Sequence, residues 1–403
     1  MINKLLDYKK DFPIFNNQDI IYLDTASTSQ KPNRVINTIT QFYQTYNANV
    51  HRGLYAWAEK ATFEYESSRN KIADYINAEN NELIFTKGTT ESINFISNAW
   101  GLNNITNKNN IVITEMEHHS NIVPWQILSK KTGAELRYIP ISDNGQLDLD
   151  NISKIIDDNT KIVSIIHQSN VFGTINPIDR IALEAHKKGA LILIDAAQSI
   201  AHQEINVKNM NCDFLVFSGH KVLGPTGIGC LYIKKDHLND LEPYQTGGQM
   251  ISQVNEYDST WNDSPFKFEA GTPNIVGAIG LGVAIDYLKE INISRVKIHN
   301  QIITEYCLDE LRKIDKLEVY GHINNNTGPV ISFNIDGIHS YDLAQLLAQQ
   351  KIYIRSGHHC AQPIMRKLNI ESSNRLSLYI YNDLKDIDCF IKAIKNSINM
   401  LKG

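Results

Sequence analysis

Short apolar runs alternate with amphipathic stretches between about residue 81 and residue 235. Runs that are apolar throughout are typical of strands with two buried faces, whereas apolar residues every three or four positions are typical of helices. The predicted strands are NELIFTKG, NIVITEMEHH, AELRYIPI, TKIVSIIHQSN, ALILIDAAQ and CDFLVFSGHK, and the predicted helices between them are TTESINFISNAW, NIVPWQILSKKTG, LDNISKIIDD and IDRIALEAHKKG. This alternation predicts an α/β fold with a mainly parallel sheet covered by helices.

A long helix candidate, NIVGAIGLGVAIDYLKEI, follows this alternation. Beyond it the pattern changes to a mixture of strands such as PVISFNID and helices such as SYDLAQLLAQQ. We therefore predict a large domain over residues 21–291 and a smaller α+β domain over residues 292–403, joined by an N-terminal segment over residues 1–20.

Charge and composition narrow the classes of partner. The formal net charge is −5 and no basic run or aromatic stripe occurs, so neither nucleic acid nor an anionic membrane surface is expected as a partner. The N-terminal stretch MINKLLDYKKDFPIFNNQ lacks the apolar core of a signal peptide, and no later stretch is long and apolar enough to span a bilayer. The expected location is the cytoplasm.

The five cysteines are scattered and form no CxxC pair, which argues against a disulfide framework and against a structural zinc site. Four of them lie in apolar periodic segments, as small buried side chains do. Cys360 differs, because it lies in RSGHHCAQP among polar, basic and turn-forming residues. From these residues alone, Cys360 has three interpretations: a metal ligand, a nucleophilic thiol or a packed loop residue.

The strongest local signal surrounds a single lysine, Lys221, which lies in the glycine-rich stretch FSGHKVLGPTGIG between two apolar runs. Upstream, the run LILID ends on Asp195, a carboxylate that is costly to bury unless it meets a cation. The stretch KGTTESINF opens a helix with Gly88, Thr89 and Thr90, where backbone N–H groups can bind a dianion. A pyridoxal 5′-phosphate (PLP) enzyme needs these parts: a lysine for the cofactor, an acid for its ring nitrogen and a phosphate site.

Each part also has an ordinary interpretation. A lysine in a glycine-rich loop is usually solvated, a strand-end aspartate often caps a helix, and a Gly-Thr-Thr helix start is usually an N-cap. The order and spacing of the parts favour the cofactor site. Two further stretches fit it, because His118 follows one predicted strand and Asn170 follows the next. There an imidazole can stack on a pyridine ring and an amide can reach its hydroxyl group.

The chain resembles the cysteine desulfurases of the aminotransferase class V family, and in particular their SufS-like branch. The resemblance implies a PLP fold type I large domain with a mainly parallel sheet, plus a smaller α+β domain. The matching stretches run nearly from end to end: YLDTASTSQKP, NVHRGLYAWAEKAT, TKGTTESIN, EMEHHSNIVPWQ, HQSNVFGTINPI, DAAQS, SGHKVLGPTGIG, FEAGTPN, RSGHHCAQP and RLSLYIYND.

The resemblance implies a role for each matching residue around the cofactor. Lys221 would bind PLP covalently and later act as the Cα base, Asp195 would pair with the ring nitrogen, and His118 would stack on the ring. The residues implied to contact the ring hydroxyl or the phosphate are Thr89, Thr90, Asn170, Gln198, Ser218 and His220. Thr272 would reach the phosphate of the other subunit's cofactor, which implies a homodimer.

The resemblance also implies the reaction, in which L-cysteine becomes L-alanine and its sulfur passes to Cys360 as a persulfide, supplying iron–sulfur cluster assembly. Arg375, with Asn170 and Arg355, would bind the substrate; a guanidinium suits a carboxylate because its planar fork gives two parallel hydrogen bonds. An ordinary cysteine, with a pKa of about 8.5, is mostly protonated at neutral pH. Arg355, His358 and His359 would lower that value if they are close and cationic.

Several alternatives stay open at this stage. Selenocysteine lyases and cysteine-sulfinate desulfinases share the same motifs, so substrate choice within the family is not separated by them. A zinc hydrolase built on His118, His119 and the histidines before Cys360 is disfavoured, because no HExxH or CxxC pattern supports it. A non-catalytic binding protein on the same fold is disfavoured by the joint presence of four residues: Lys221, Asp195, Arg375 and Cys360.

The resemblance further implies a sulfur-acceptor protein and a SufBCD-type scaffold. The loop that carries Cys360 is short, so a dedicated acceptor that reaches into the pocket is expected. Members of the branch that use a zinc-containing SufU-like acceptor carry an extra histidine near IHSYDLA, where this chain has Tyr341, which favours a SufE-like acceptor. The spelling CAQP is associated with the SufU-using members, so these two features point in opposite directions.

Overall fold

The structure is a computed structural model that describes residues 5–16, 18–321 and 327–402, and it has an α/β fold. The strands are β1 (Ile21–Tyr22), β2 (Leu83–Thr86), β3 (Asn110–Thr114), β4 (Glu135–Ile139), β5 (Thr160–Ile166), β6 (Leu191–Asp195), β7 (Phe214–Ser218), β8 (Gly229–Ile233), β9 (Ile251–Val254), β10 (Ser259–Trp261), β11 (Leu317–Tyr320), β12 (Val330–Ile335), β13 (Ile352–Tyr353), β14 (Arg355–Gly357) and β15 (Ser373–Ser377). The helices are α1 (Asn33–Thr45), α2 (Ala56–Ile76), α3 (Thr89–Ile96), α4 (Leu102–Asn104), α5 (Val123–Thr132), α6 (Ile152–Ile155), α7 (Ile178–Lys187), α8 (Ile275–Ile291), α9 (Ile293–Leu311), α10 (Ser340–Gln349), α11 (Gln362–Lys367) and α12 (Leu384–Lys402).

The larger sheet has seven strands in the order β2-β8-β7-β6-β5-β3-β4. The strands from β7 to β4 run parallel, while β8 runs antiparallel to both of its neighbours. Strands β3, β7 and β8 are buried at every position, because helices cover both faces of the sheet. The prediction of a mainly parallel sheet is therefore confirmed, and its carboxyl edge collects the polar residues that follow β5, β6 and β7.

A second sheet, with the order β11-β12-β15-β14, is antiparallel throughout. Residues of α9, α10 and α12 pack with it into a separate hydrophobic cluster that includes Phe333 and Phe390. Helix α8 ends at Ile291 and α9 begins at Ile293, so the chain passes from the larger sheet to the smaller one near the predicted boundary. The division at residues 291 and 292 remains a prediction.

Two helices near the N-terminus, α1 and α2, were not predicted, and both pack on α8. Helix α2 carries a charged residue on its buried face: the side chain of Arg69 is only 1% exposed. Its guanidinium donates two hydrogen bonds to Glu269, at 2.7 and 2.9 Å, and one to the carbonyl of Leu83 at 2.8 Å. The positive charge of Arg69 can be buried because the negatively charged carboxylate of Glu269 is buried beside it.

We expect Arg69→Met to lower the free energy of unfolding by about 3–5 kcal/mol, because it leaves the Glu269 carboxylate buried without its cation. Denaturant unfolding followed by circular dichroism measures this loss. Arg34→Met is the matched control, since the ion pair of Arg34 with Glu290 is exposed and its loss is expected to cost less than about 1 kcal/mol. Equal losses in the two variants would contradict the prediction.

Within residues 5–16, 18–321 and 327–402, no helix is both long enough and apolar enough to cross a bilayer.

Candidate active site

A cavity of about 250 Å³ opens at the carboxyl ends of β5, β6 and β7. Almost all of the side chains predicted to form the site line it: Thr89, Thr90, His118, Asn170, Asp195, Gln198, Ser218, His220, Lys221, Arg355, Cys360 and Arg375. Thr272 is the exception, because it is exposed and borders a different pocket of about 450 Å³. Its hydroxyl lies 3.5 Å from the Nδ2 atom of Asn49.

Lys221 and Asp195 carry opposite charges in this cavity. Asp195 ends β6 and is 2% exposed, and one of its oxygens accepts a hydrogen bond of 2.9 Å from the Ala197 N–H. Burial raises the pKa of Asp195, against the opposing effects of that hydrogen bond and of Lys221. Burial also lowers the pKa of Lys221 to about 8; Asp195 opposes this shift and Arg375 adds to it. The amine of Lys221 is therefore easier to deprotonate than that of an ordinary lysine.

The start of α3 forms one end of the cavity, against β7 and β8. The N–H of Thr89 donates a hydrogen bond of 2.9 Å to the hydroxyl of Ser218, and the two hydroxyl groups also lie 2.9 Å apart. Gly88 adopts a φ of 149°, and a Cβ atom on Gly229 would come within 2.5 Å of the Gly88 Cα atom. Side chains are excluded at both glycines, so the backbone at the start of α3 lies close to β8 and to the Ser218 hydroxyl, which already accepts from the Thr89 N–H.

His118 lies on the wall of the cavity just after β3. Its Nδ1 atom accepts a hydrogen bond of 3.1 Å from the Ser120 N–H, which places the proton of the neutral ring on Nε2. Burial, with the nearby charge of Lys221, lowers the pKa of His118 to about 3. The ring is therefore neutral at physiological pH.

Two arginines share one carboxylate at the opposite side of the cavity. Arg375, 3% exposed, donates to Asp24 at 3.0 Å and to the carbonyl of Asn170 at 3.1 Å. Arg355 also donates to Asp24, at 3.2 Å. The pair carries two positive charges against one negative charge, and the cavity has a surplus positive charge at this side.

The loop that carries Cys360 is fixed by contacts with the larger sheet. The carbonyl of Cys360 accepts a hydrogen bond of 2.7 Å from the His119 N–H, and the side-chain amide of Asn170 donates a hydrogen bond of 2.7 Å to the carbonyl of His359. His359 and Cys360 both adopt the left-handed conformation, with φ values of 52° and 55°. Cys360 itself is exposed and lines the cavity, so its thiol can meet both a small molecule inside and a protein outside.

The two histidines before Cys360 point in different directions. His358 is exposed, accepts a hydrogen bond from the Cys360 N–H at 3.1 Å, and packs against His119 with their ring centroids 5.6 Å apart. His359 is buried, and its Nε2 atom lies 3.0 Å from both the carbonyl and the hydroxyl oxygen of Ser373. Burial, with Arg375 nearby, holds the pKa of His359 well below its usual range, so His359 is not a cation beside the thiol.

The cavity fits an anionic, aromatic cofactor such as PLP. Three buried polar atoms of residues that line it, Oδ1 of Asn170, Nδ1 of His359 and Nε of Arg375, have no hydrogen-bond partner within the described residues. Lys221 likewise makes no side-chain hydrogen bond or ion pair there, although its amine is largely removed from water. Unpaired polar atoms of this kind are costly unless a bound molecule meets them.

Asp24 is the main site residue that the sequence did not reveal. Its motif, YLDTASTSQKP, is among the stretches that carry the resemblance, but no local pattern connects Asp24 with arginines more than three hundred positions away. Asp24 follows β1, and its backbone bridges to Ser377 beside Arg375. Only a predicted pairing of β1 with the C-terminal part of the chain would have found it.

Comparison with known proteins gives a consistent result. The chain matches the aminotransferase class-V family over residues 21–390. It is 46% identical over 396 residues to a probable cysteine desulfurase of Halalkalibacterium halodurans, with 97% of each chain covered. Among solved structures it is similar to the apo structure of a cysteine desulfurase from Thermococcus onnurineus, with a TM-score of 0.95, 38% identity and coverage of 99% and 100%. It is also similar to an Escherichia coli cysteine desulfurase in an S-sulfonic acid form, with a TM-score of 0.91, 32% identity and 98% coverage of both chains.

Proposed function

Because this chain belongs to the aminotransferase class-V family and is a PLP-dependent cysteine desulfurase, we propose that Cys360 receives the sulfur and that Lys221, Asp195 and Arg375 prepare the substrate. The observation that carries this assignment is the convergence of these four side chains on one cavity of about 250 Å³. They come from distant parts of the chain, and a structural role alone does not explain why a buried lysine and a buried arginine face the same space.

When bound, PLP supplies an electron sink for the negative charge that develops at the substrate's Cα atom. We assign the phosphate to Thr90, Ser218, His220 and the N–H groups at the start of α3, with Thr89 beside them. Asp195 would keep the ring nitrogen protonated, His118 would stack on the ring, and Gln198 and Asn170 would contact the ring hydroxyl. Gln198 already donates a hydrogen bond of 2.9 Å to the carbonyl of Ala26, which fixes its amide plane.

Arg375 and Lys221 act on the substrate itself in this proposal. The free Nε–H of Arg375 is buried and available to the carboxylate of L-cysteine, with Asn170 and Arg355 at the same side of the cavity. In its neutral form, the amine of Lys221 removes the proton from Cα. With a pKa of about 8, roughly a tenth of the amines are neutral at pH 7, far more than for an ordinary lysine.

The sulfur then moves from the substrate to the protein. The thiolate of Cys360 forms a bond with the substrate's sulfur, and the electrons of the Cβ–S bond stay with Cβ, which takes up a proton. The products are L-alanine and a persulfide on Cys360, so no external oxidant or reductant is needed. The exposure of Cys360 supports this role, because the persulfide has to be reached by an acceptor.

The PLP-loaded protein should release alanine from L-cysteine, and the test follows this release together with persulfide formation on Cys360 by mass spectrometry. The same assay with L-selenocysteine and with cysteine sulfinate separates the related activities. Turnover of selenocysteine without turnover of cysteine would replace the proposal by a selenocysteine lyase. Alanine formation with the persulfide on another cysteine would remove Cys360 from its role.

We propose a homodimer in which Thr272 reaches the cofactor of the partner subunit. The exposure of Thr272 outside its own cavity supports this arrangement, because the residue is then free to contact another chain. The proposed location is the cytoplasm, where thiols stay reduced and all five cysteines of this chain are free.

The acceptor is proposed to be a SufE-like or a SufU-like protein that passes sulfur to a SufBCD-type scaffold for iron–sulfur cluster assembly, within the SufS-like branch. Tyr341 is 61% exposed at the start of α10, so it is available to a partner. Sulfur transfer to each purified acceptor, measured as the stimulation of alanine release, decides between the two.

A further inference from the structure

Lys31 is a half-buried lysine that the reaction does not use. It follows the turn after β1, and its ammonium group forms no ion pair with a carboxylate within residues 5–16, 18–321 and 327–402. Its nearest partners are two oxygens of Ser29 and the carbonyl oxygen of His220, and the distance from Nζ of Lys31 to the His220 oxygen is 2.9 Å. Burial lowers the pKa of Lys31 to about 7, which reflects how unfavourable a charge is at this position. The oxygens that Lys31 contacts offset this burial by accepting hydrogen bonds from its amine.

The carbonyl of His220 collects an unusual number of donors. The N–H and the hydroxyl of Ser29 donate to it, both at 3.0 Å, and the hydroxyl of Thr28 donates at 3.1 Å. Lys31 is the fourth donor. A carbonyl oxygen accepts through two lone pairs, so the four donors share it, and because they come from different sides they restrict its direction more than a single donor does.

This carbonyl belongs to the peptide bond that joins His220 to Lys221. On the other side of Lys221, the N–H of Leu223 donates a hydrogen bond of 2.9 Å to the hydroxyl of Ser29. Residues 28–31 therefore bind the backbone both before and after Lys221, and they come from a segment more than 180 positions away in the chain. Leu223 adopts a φ of 65°, so the turn after Lys221 is also one that needs external support.

We propose that Lys31 is a positioning residue for Lys221: its amino group, with Ser29 and Thr28, holds the His220–Lys221 peptide in the orientation that directs the Lys221 amine into the cavity. The proposal rests on the assignment of Lys221 as the reacting lysine. Lys31 does not line the cavity, so residues 28–31 would act on Lys221 from behind the cavity wall. The contact is with the backbone, so the identity of the cofactor or substrate does not enter it.

The first test uses the cofactor-free protein and measures how fast acetic anhydride labels Lys221 at pH 8, by peptide mass spectrometry. In Lys31→Met the Lys221 amine is no longer held in its desolvated position, so its neutral fraction falls and labelling is expected to be at least threefold slower. Lys31→Arg keeps N–H donors at this position and is expected to restore most of the rate. Lys71→Met is the matched control, since Lys71 is a half-buried lysine that pairs with Asp286 away from the cavity.

The second test uses the PLP-loaded enzyme. In Lys31→Met, kcat is expected to fall at least tenfold while KM for L-cysteine stays within a factor of about two, because Arg375 still binds the substrate. Thr28→Val removes a single neutral donor, so it is expected to lower both the labelling rate of Lys221 and kcat, by smaller factors than Lys31→Met. This variant replaces Lys31→Met in both tests if Lys31→Met does not fold. An unchanged or faster labelling rate overturns the proposal, whatever happens to kcat. A wild-type enzyme that releases no alanine from cysteine contradicts the proposed function instead, and leaves the labelling comparison intact.

Discussion

Replacing Lys221 with alanine is expected to lower the rate of alanine release by roughly a thousandfold or more, because the same amine binds the cofactor and moves the Cα proton. Positioned proton transfer alone is worth about 10²–10⁴ in rate. The variant is also expected to lose the visible absorption band of the lysine-bound cofactor while it keeps its fold. The lowered pKa of Lys221, about 8, is the physical basis of its role as a base at neutral pH.

Steady-state alanine release and an absorption spectrum after PLP addition measure both effects. Lys234→Ala is the control, since Lys234 follows β8 and lies outside the cavity. A Lys221→Ala protein that keeps more than a tenth of the wild-type rate would show that another group removes the proton. A wild-type protein with no absorption band after PLP addition would remove the cofactor assignment altogether.

Replacing Cys360 with alanine is expected to reduce cysteine turnover by more than about a hundredfold, without affecting the cofactor band. The thiolate is the nucleophile that accepts the sulfur, and the cavity offers no second thiol to replace it within the described residues. The cofactor residues keep their contacts, because the hydrogen bonds of this loop use the backbone of residues 359 and 360.

Cys389→Ala is the matched control for this variant, because Cys389 is also a free and exposed thiol but lies on α12, outside the cavity. Its turnover is expected to equal that of the wild type. A Cys360→Ala protein that desulfurates cysteine at the normal rate would contradict the role given to Cys360. Loss of cysteine turnover with retained selenocysteine turnover would show that the thiol is needed for sulfur but not for selenium.

The sequence predicted the centre of the fold well because its strands are apolar on both faces. Strands β2 to β7 lie within the six predicted runs, and because they run in the same direction the residues that follow them lie at one edge of the sheet. The antiparallel direction of β8 could not be predicted from the hydrophobic pattern, because an apolar run looks the same in a parallel and in an antiparallel strand. Helix α2 was missed because the buried side of the helix contains Arg69, whose charge resembles that of a solvated surface.

The sequence predicted those residues of the candidate site that lie in recognisable motifs, but not the contacts between distant segments. Contacts between distant segments, such as Asp24 with Arg375 or Lys31 with the carbonyl of His220, leave no local signature. The opposite orientations of His358 and His359 accompany left-handed backbone conformations at residues 359 and 360, which are uncommon for any residue other than glycine. Sequence alone also could not show that His359 is neutral, because its state depends on burial in the folded chain.

The close approach of Gly88 and Gly229 has a consequence for engineering this enzyme. A methyl group at position 229 would overlap both the Gly88 Cα atom and the Phe217 carbonyl, each at 2.5 Å, and that carbonyl cannot retreat without moving the buried strand β7. A mutant library that randomises the cavity should therefore leave both glycines fixed and diversify lining positions that have no assigned role, such as Ser27. Mutational tolerance in this enzyme is set by the backbone beneath the site as much as by the reacting side chains.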